Sequence, residues 1–233
     1  MKLPILPERV TYDQLIAKVN NYERIVPSNL QELDNFRVKE LPGILHQRQS
    51  SGGAFLEKEE ATKLLNWKLY VLFLLLASNS DEVIRAITKD AFSAYTANPS
   101  DPIKPLESIA KLKGVGPATA SLLLSCFDHE NIPFFSDEMF RWIHFEDAGV
   151  KGWDRKIGYT MKEYKSLLGK VSDLRTKLKD GETIVTALEI EQAATVIFSE
   201  RMKQPLEESL GNEEEEASKP SSSKKKRTVK HPK

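Results

Sequence analysis

The chain has 233 residues, enough for one large domain, and its 40% hydrophobic content is ordinary for a protein with a packed core. Its 34 basic and 34 acidic residues cancel, which excludes binding of a polyanion through a global positive field. A single cysteine, Cys126, excludes an intrachain disulfide, a four-cysteine iron–sulfur cluster and a four-thiolate zinc site within one chain. The four histidines lack ligand-like spacing, so we expect no metal site made of side chains.

The beginning of the chain, MKLPILPERVTYD, contains no apolar segment long enough for a signal peptide. The most apolar stretch, residues 69–77, is far shorter than the roughly 20 residues that span a membrane. Polar residues flank this stretch on both sides. We therefore expect a buried core helix there and no membrane partner.

Apolar residues recur at helical spacing along most of the chain, and no alternating run is regular enough to predict a strand. The sequence therefore predicts an all-α fold. Helices are predicted over residues 11–19, 57–67, 80–95, 106–112, 159–179 and 186–202, with further helix starts at Ser28 and Asp34. Loops are predicted at residues 47–53, at the proline-rich residues 98–105 and at Asp180-Gly181.

The helical pattern ends at about Gln204. Residues 206–233 are low in complexity and separate acidic from basic charges, which predicts a disordered tail after a helical domain of residues 1–205. The first 205 residues alone contain 28 acidic and 27 basic residues, so that domain is close to neutral. The run KKKR at 224–227 is typical of a nuclear localisation signal or an electrostatic arm, although a solvated tail without an address is the alternative. We expect a nuclear protein, or otherwise a cytoplasmic one.

Residues 112–126, LKGVGPATASLLLSC, combine two closely spaced glycines, a proline and a run of small and apolar residues. This pattern predicts a tight turn followed by a buried helix that begins at Pro117, where the missing N–H is not needed. The glycines permit positive φ and close approach of another backbone, and we expect Val115 to pack inward. Unbonded N–H groups at the start of the helix would bind an anion such as a DNA phosphate.

Residues 106–126 thus resemble the helix–hairpin–helix motif of DNA-binding proteins. The next segment, NIPFFSDEMFRW at 131–142, is similar to the helix–hairpin–helix DNA glycosylase superfamily, in which a catalytic aspartate follows the position that decides lyase activity. Here that position is Ala118, and Asp137 lies 19 residues later. The resemblance implies a glycosylase-like domain over residues 1–205 that binds double-stranded DNA through Lys111, Lys113, Gly114, Val115, Gly116, Ala118 and Thr119. Lys104 is a further candidate for a phosphate contact.

The resemblance also implies a reaction. Asp137 would stabilise positive charge on the sugar or activate water after the base has left the stack. Alanine at position 118 cannot form a Schiff base, which indicates a monofunctional glycosylase without lyase activity, with damaged and alkylated bases as candidate substrates. Alignment on Arg141 leaves a second register that places Ser136 at the catalytic position, and Glu138 is the fallback carboxylate. A carboxylate buried against Arg141 would argue against catalysis.

Three aromatic residues, Trp67, Phe135 and Trp142, are candidates to line a base pocket, with core packing as the alternative. No cofactor is expected, except for a monovalent cation that the resemblance implies at the hairpin carbonyls. We expect a monomer, and the sequence identifies no protein partner. Two other functions stay open: a DNA-binding relic of the fold without catalysis, and a helical protein–protein adaptor.

Overall fold

The structure, a computed structural model, describes residues 5–68, 75–147 and 152–203, except for the side chains of Trp67 and Lys68. Within these ranges the chain contains helices and no strand, and its one β-type pairing is an isolated bridge between Asp180 and Thr183. The predicted all-α character is therefore confirmed for this part of the chain. Two compact units are present, Met1–Ser199 and Glu200–Lys233, of which the second is described over residues 200–203.

The helices of the described residues follow one another with short connections. Their bounds are α1 Tyr12–Val19, α2 Tyr22–Ile25, α3 Gln31–Asn35, α4 Leu41–Ser50, α5 Lys58–Lys68, α6 Asp81–Ala97, α7 Ile103–Ile109, α8 Pro117–Phe127, α9 Asp137–Ile143, α10 Met161–Lys177 and α11 Ala187–Met202. A π-helical turn, Phe36–Glu40, joins α3 to α4, and a 3₁₀ turn occupies Gly152–Asp154. Residues 75–77 are also helical.

Hydroxyl side chains cap the beginning of several helices. The side chains of Thr11, Ser80, Ser136 and Thr160 each accept a hydrogen bond from the backbone N–H three residues later. Such caps satisfy N–H groups that have no partner inside the helix. Thr11 and Thr160 also form complete capping boxes, with Gln14 and Glu163 respectively.

Three predicted boundaries differ from the structure. The predicted loop at 47–53 is shorter, because α4 continues to Ser50. The predicted break at 98–105 ends early, because α7 begins at Ile103 and holds Pro105 in its first turn, where the missing N–H of a proline has no helical partner to lose. Asp34 does not start a helix but lies inside α3, and Ser28 lies in the turn before it.

Helix α8 forms the centre of the core. Residues 119–126 of this helix are all buried, and it packs against α4, α5, α7 and α10. A helix that is apolar on every side belongs in an interior, so the run of small and apolar residues is explained by this position. Of the apolar stretch at 69–77, Leu76 is buried and Leu75 is 50% exposed, and residues 69–74 lie outside the described residues.

A buried ionic cluster joins the π-helical turn to α11. The guanidinium of Arg37 contacts the carboxylates of Glu191 at 2.8 Å and Asp34 at 3.2 Å. Tyr22 donates its hydroxyl proton to Asp34 at 2.8 Å, and Arg37 contacts the same hydroxyl at 3.2 Å. Two carboxylates and one guanidinium therefore share a site shielded from water. Removal of the guanidinium would leave buried negative charges without a partner.

Among the described residues, no helix combines the length and the apolar content needed to cross a lipid bilayer.

Candidate nucleic-acid interface

The turn between α7 and α8 has the geometry that its two glycines predict. Gly114 has φ of +79°, in the left-handed region, and Gly116 is extended and caps α8 ahead of Pro117. A Cβ added at Gly114 would lie 2.4 Å from the Cβ of Leu75, whereas one added at Gly116 would meet nothing within 4 Å. The first glycine therefore permits approach of the chain's own backbone, and the second leaves open space for an external group.

Asn79, just before α6, fixes the turn from outside. Its side-chain oxygen accepts a hydrogen bond from the N–H of Lys113 at 3.1 Å, and its amide donates to the carbonyl of Lys113 at 3.2 Å. The amide also donates to the carbonyl of Leu76 at 2.8 Å. This buried residue is not among the predicted site residues, because nothing in the sequence near Asn79 indicates contact with a turn 34 residues away.

Several backbone N–H groups of the turn and the first turn of α8 remain available. The N–H groups of Gly114, Gly116, Ala118 and Thr119 donate to no acceptor among the described residues. Those of α8 stand at the positive end of the helix dipole, which favours an anion. The side chains of Lys111 and Lys113 are exposed beside the turn, and neither forms an ion pair within the described part of the chain.

Three of the residues predicted to contact DNA have contacts within the protein, and whether they contact DNA stays a prediction. Val115 is buried, as expected, and its N–H donates to the carbonyl of Leu112 at 3.1 Å, so its side chain and N–H support the turn. Thr119 is buried as well, so only its backbone N–H is a candidate contact. Lys104 is exposed but lies 3.7 Å from Asp101, its ion-pair partner on the preceding turn.

The hairpin carbonyls are partly used by the protein. The carbonyl of Lys113 accepts from Asn79, that of Leu112 accepts from Val115, and that of Gly116 accepts from Ala120. The carbonyls of Gly114 and Val115 accept no hydrogen bond from the described residues, and these two would hold the implied monovalent cation. No group of histidine, cysteine and carboxylate side chains suited to a metal ion occurs in the described ranges.

A buried hydrogen bond connects α8 to the segment that precedes α9. The N–H of Phe135 donates to the hydroxyl of Ser121 at 2.9 Å, and that hydroxyl donates to the carbonyl of Ala118 at 2.8 Å. Phe135 is two residues before Asp137, and Ala118 is in the first turn of α8. The start of α9 is thereby attached to the helix that carries the available N–H groups.

Asp137 is held from two sides and remains accessible. Its Oδ1 accepts a hydrogen bond from the hydroxyl of Tyr159 at 2.6 Å, and its Oδ2 lies 3.3 Å from Nη1 of Arg141. Arg141 is itself oriented, because its Nε donates to the carbonyl of Arg155 at 3.1 Å. The side chain of Asp137 is 29% exposed, so the carboxylate is paired with Arg141 but not buried against it.

The neighbouring candidates, Ser136 and Glu138, differ from Asp137 in their exposure and their hydrogen bonds. Ser136 is buried, and its hydroxyl caps α9 by accepting the N–H of Met139 at 3.2 Å. The Glu138 side chain is partly exposed and forms no hydrogen bond or ion pair with another described residue. Of the two alignment registers, the one centred on Asp137 therefore places an accessible carboxylate at the start of α9.

Tyr159 is the residue of this site that sequence analysis missed. Burial, and then its hydrogen bond to Asp137, raise the pKa of its phenol to about 12, so the hydroxyl keeps the proton that it donates. Its ring lies against that of Phe135, with the ring centroids 5.7 Å apart. Tyr159 follows Asp137 by 22 residues in a connection without periodicity, so the sequence contains no signal for the contact.

Two of the three proposed pocket residues lie in the core. Phe135 and Trp142 are fully buried, and the indole N–H of Trp142 donates to the carbonyl of Ile5 at 2.8 Å, so both are core residues. The side chain of Trp67 lies outside the described residues. Cavities of about 170 to 330 Å³ lie elsewhere, for example beside Tyr22 and Asp34, and are lined by neither Asp137 nor the hairpin.

Two other predictions concern Cys126 and the charged tail. Cys126 is a buried thiol, and burial raises its pKa to about 12, which keeps it protonated and unreactive. The charged tail with the KKKR run at 224–227 lies outside the described residues, so its predicted disorder and its nuclear address stay predictions.

No family model, no curated protein and no solved structure matches the chain.

Proposed function

We propose that this protein binds double-stranded DNA through the sugar–phosphate backbone, using the turn at residues 112–117 and the N-terminus of α8. The observation that carries the proposal is the set of available N–H groups at Gly116, Ala118 and Thr119. Backbone N–H groups at a helix N-terminus bind phosphate without reading the sequence. The open space in front of Gly116 lets a phosphate reach them.

The charges around the turn support binding of the sugar–phosphate backbone of DNA. Lys111 and Lys113 are exposed on either side of Leu112, at the beginning of the turn that contains Gly116. Because the first 205 residues are nearly neutral, these local charges and the helix dipole would supply the attraction. We infer that the unit α7, turn and α8 acts as a helix–hairpin–helix in a glycosylase-type fold, located in the nucleus through its basic tail.

A second candidate function is excision of a damaged base by Asp137. Its support is the accessible carboxylate at the start of α9, attached to α8 through Ser121 and Phe135. In this reaction the C1′–N bond breaks, the oxygen of water bonds to C1′, and Asp137 accepts a proton from that water. A cationic alkylated base leaves as a neutral molecule with the electron pair of the broken bond.

The binding proposal is tested by fluorescence anisotropy with a labelled duplex of about 20 base pairs, between about 50 and 200 mM salt. We expect affinity to fall with salt, and the double variant K111Q/K113Q to reduce the slope of log K against log salt by up to about 1.8. The matched control is K165Q/K179Q, which removes two exposed lysines on and after α10. Equal loss in both variants, or no binding by the wild type, would contradict the proposal.

Excision is tested separately by incubating wild type and Asp137→Asn with duplexes that carry alkylated, deaminated or oxidised bases. Alkali then cleaves any abasic site that has formed. Release by wild type and its loss in Asp137→Asn would support the second candidate, and retention of duplex binding by the variant would show that only chemistry was lost. Binding without release on every substrate would leave the DNA-binding function alone, and absence of both would favour a protein–protein adaptor.

A further inference from the structure

We propose that Tyr159 is the positioning residue of the candidate active site: it orients the carboxylate of Asp137 toward the DNA by donating its phenolic proton to Oδ1. This inference rests on the second candidate function, base excision by Asp137. It adds a residue, on a different segment of the chain, that is required for the same carboxylate to act.

The first support is the way in which the two carboxylate oxygens are used. Tyr159 donates to Oδ1 at 2.6 Å, and Arg141 lies 3.3 Å from Oδ2. Two contacts from different directions remove the rotation about the side-chain bonds that a surface aspartate otherwise retains. Because each oxygen has a second lone pair and the side chain is 29% exposed, the orientation is restrained while one face of the carboxylate stays accessible.

The second support is that Tyr159 is itself fixed in place. Its φ of +52° lies in the left-handed region, which a bulky residue adopts only where the surrounding structure imposes it. The N–H groups on both sides, of Gly158 and Thr160, donate to the carboxylate of Glu163 at 3.0 and 2.9 Å. The backbone of Tyr159 is thus held by the capping box that begins α10, and its ring packs against Phe135.

The third support is chemical. A phenol that keeps its proton can donate to a carboxylate, and both burial and Asp137 favour the protonated form of Tyr159. An ionised, oriented carboxylate is the group that base excision requires, whether it stabilises the sugar cation or accepts a proton from water.

The test compares Tyr159→Phe with Tyr164→Phe. Both variants keep the ring and lose one hydroxyl, and both rings pack against Phe135, but the hydroxyl of Tyr164 donates to the carbonyl of Pro133 and does not contact Asp137. We expect Tyr159→Phe to slow single-turnover base release about 10- to 100-fold. Duplex affinity should be unchanged, and Tyr164→Phe should release base at the wild-type rate.

A structural role alone would give a different pattern. In that case Tyr159→Phe would lower the urea midpoint of unfolding and leave the rate constant for base release at the wild-type value, which would overturn the proposal. Equal slowing in both tyrosine variants would overturn it too, because the effect would then belong to packing around Phe135.

A second measurement does not depend on activity. Free difluorotyrosine ionises near neutral pH, so at position 159 its ionisation remains accessible, and its ¹⁹F signal can be titrated with and without Asp137→Asn. We expect its pKa to fall in the variant, because the carboxylate that holds the proton on the phenol is gone. An unchanged pKa would show that the contact does not form in solution. A shifted pKa in a protein that releases no base would show that the excision function has failed and that the contact is structural.

Discussion

Asn79 and Lys113, 34 residues apart in the chain, are joined by a pair of hydrogen bonds that uses both polar atoms of the asparagine side chain. The side-chain amide thereby pairs with the N–H and the carbonyl of one residue in the turn. Because Asn79 immediately precedes the N-cap of α6, the turn with the available N–H groups is fixed to a separate helix.

Asn79→Ala should therefore affect both stability and binding. Loss of the side chain leaves the Lys113 N–H without its acceptor, and we expect the free energy of unfolding to fall by about 1–3 kcal/mol. Duplex affinity should fall as well, because the turn loses its orientation. Urea unfolding and anisotropy measure the two effects. Asn21→Ala removes a half-buried side chain whose hydrogen bonds, to the carbonyl of Ala17 and from Arg24, are local, and it should change neither quantity appreciably.

The two glycines of the turn should respond differently to the same substitution. Gly114→Ala places a methyl group 2.4 Å from the Cβ of Leu75 at a φ of +79°, so we expect destabilisation of about 2 kcal/mol or more. Gly116→Ala meets no atom within 4 Å and should leave the free energy of unfolding within about 0.5 kcal/mol. Duplex affinity should nevertheless fall in Gly116→Ala, because the methyl group enters the space in front of the N–H groups. Wild-type affinity in a stable Gly116→Ala would argue against a phosphate at this position.

Arg37→Met tests the buried ionic cluster. The substitution leaves the carboxylates of Asp34 and Glu191 without the guanidinium between them. Breaking a buried pair by removing one partner is strongly destabilising, and we expect a loss of about 3–5 kcal/mol in urea unfolding at neutral pH. Lys39→Met is the matched control, since its ion pair with Glu23 is exposed and should contribute no more than about 1 kcal/mol. Similar losses in the two variants would contradict this account.

His144 should make stability depend on pH. Burial lowers the pKa of its imidazole, whose nitrogens lie 3.0 Å from the carbonyl of Phe140 and 2.9 Å from the hydroxyl of Ser166. A histidine with a lowered pKa in the folded state is protonated first in the unfolded chain, so stability is present above about pH 6.5 and is lost as the pH falls through the folded-state pKa. We expect His144→Gln to flatten the dependence of the free energy of unfolding on pH between about pH 7 and 5. The same slope in His144→Gln as in wild type would contradict the prediction, and His46→Gln, on an exposed face of α4, is the control.

Local patterns in the sequence predict much of the fold because they act over a few residues. Hydroxyl caps at Thr11 and Ser80 lie where the pattern places helix starts, and the Gly-Val-Gly-Pro run forms the expected turn. A loop prediction is wrong where the residue that indicates a loop is also tolerated in a helix. Pro105 reads as a helix breaker, but a proline is tolerated in a first turn, and only the packing of α7 against α6 and α8 makes that turn form.

The candidate site likewise has one part that is recognisable in the sequence and another that appears only when the helices pack. Gly114, Gly116 and the start of α8 are recognisable in the sequence, because the turn and its N–H groups arise from neighbouring residues. Asn79 and Tyr159 are not recognisable, since each acts across a gap of 34 or 22 residues that closes when the helices pack. Burial likewise assigns Phe135 and Trp142 to the core, because aromatic side chains suit both a pocket wall and an interior, and the surrounding helices determine which environment they occupy.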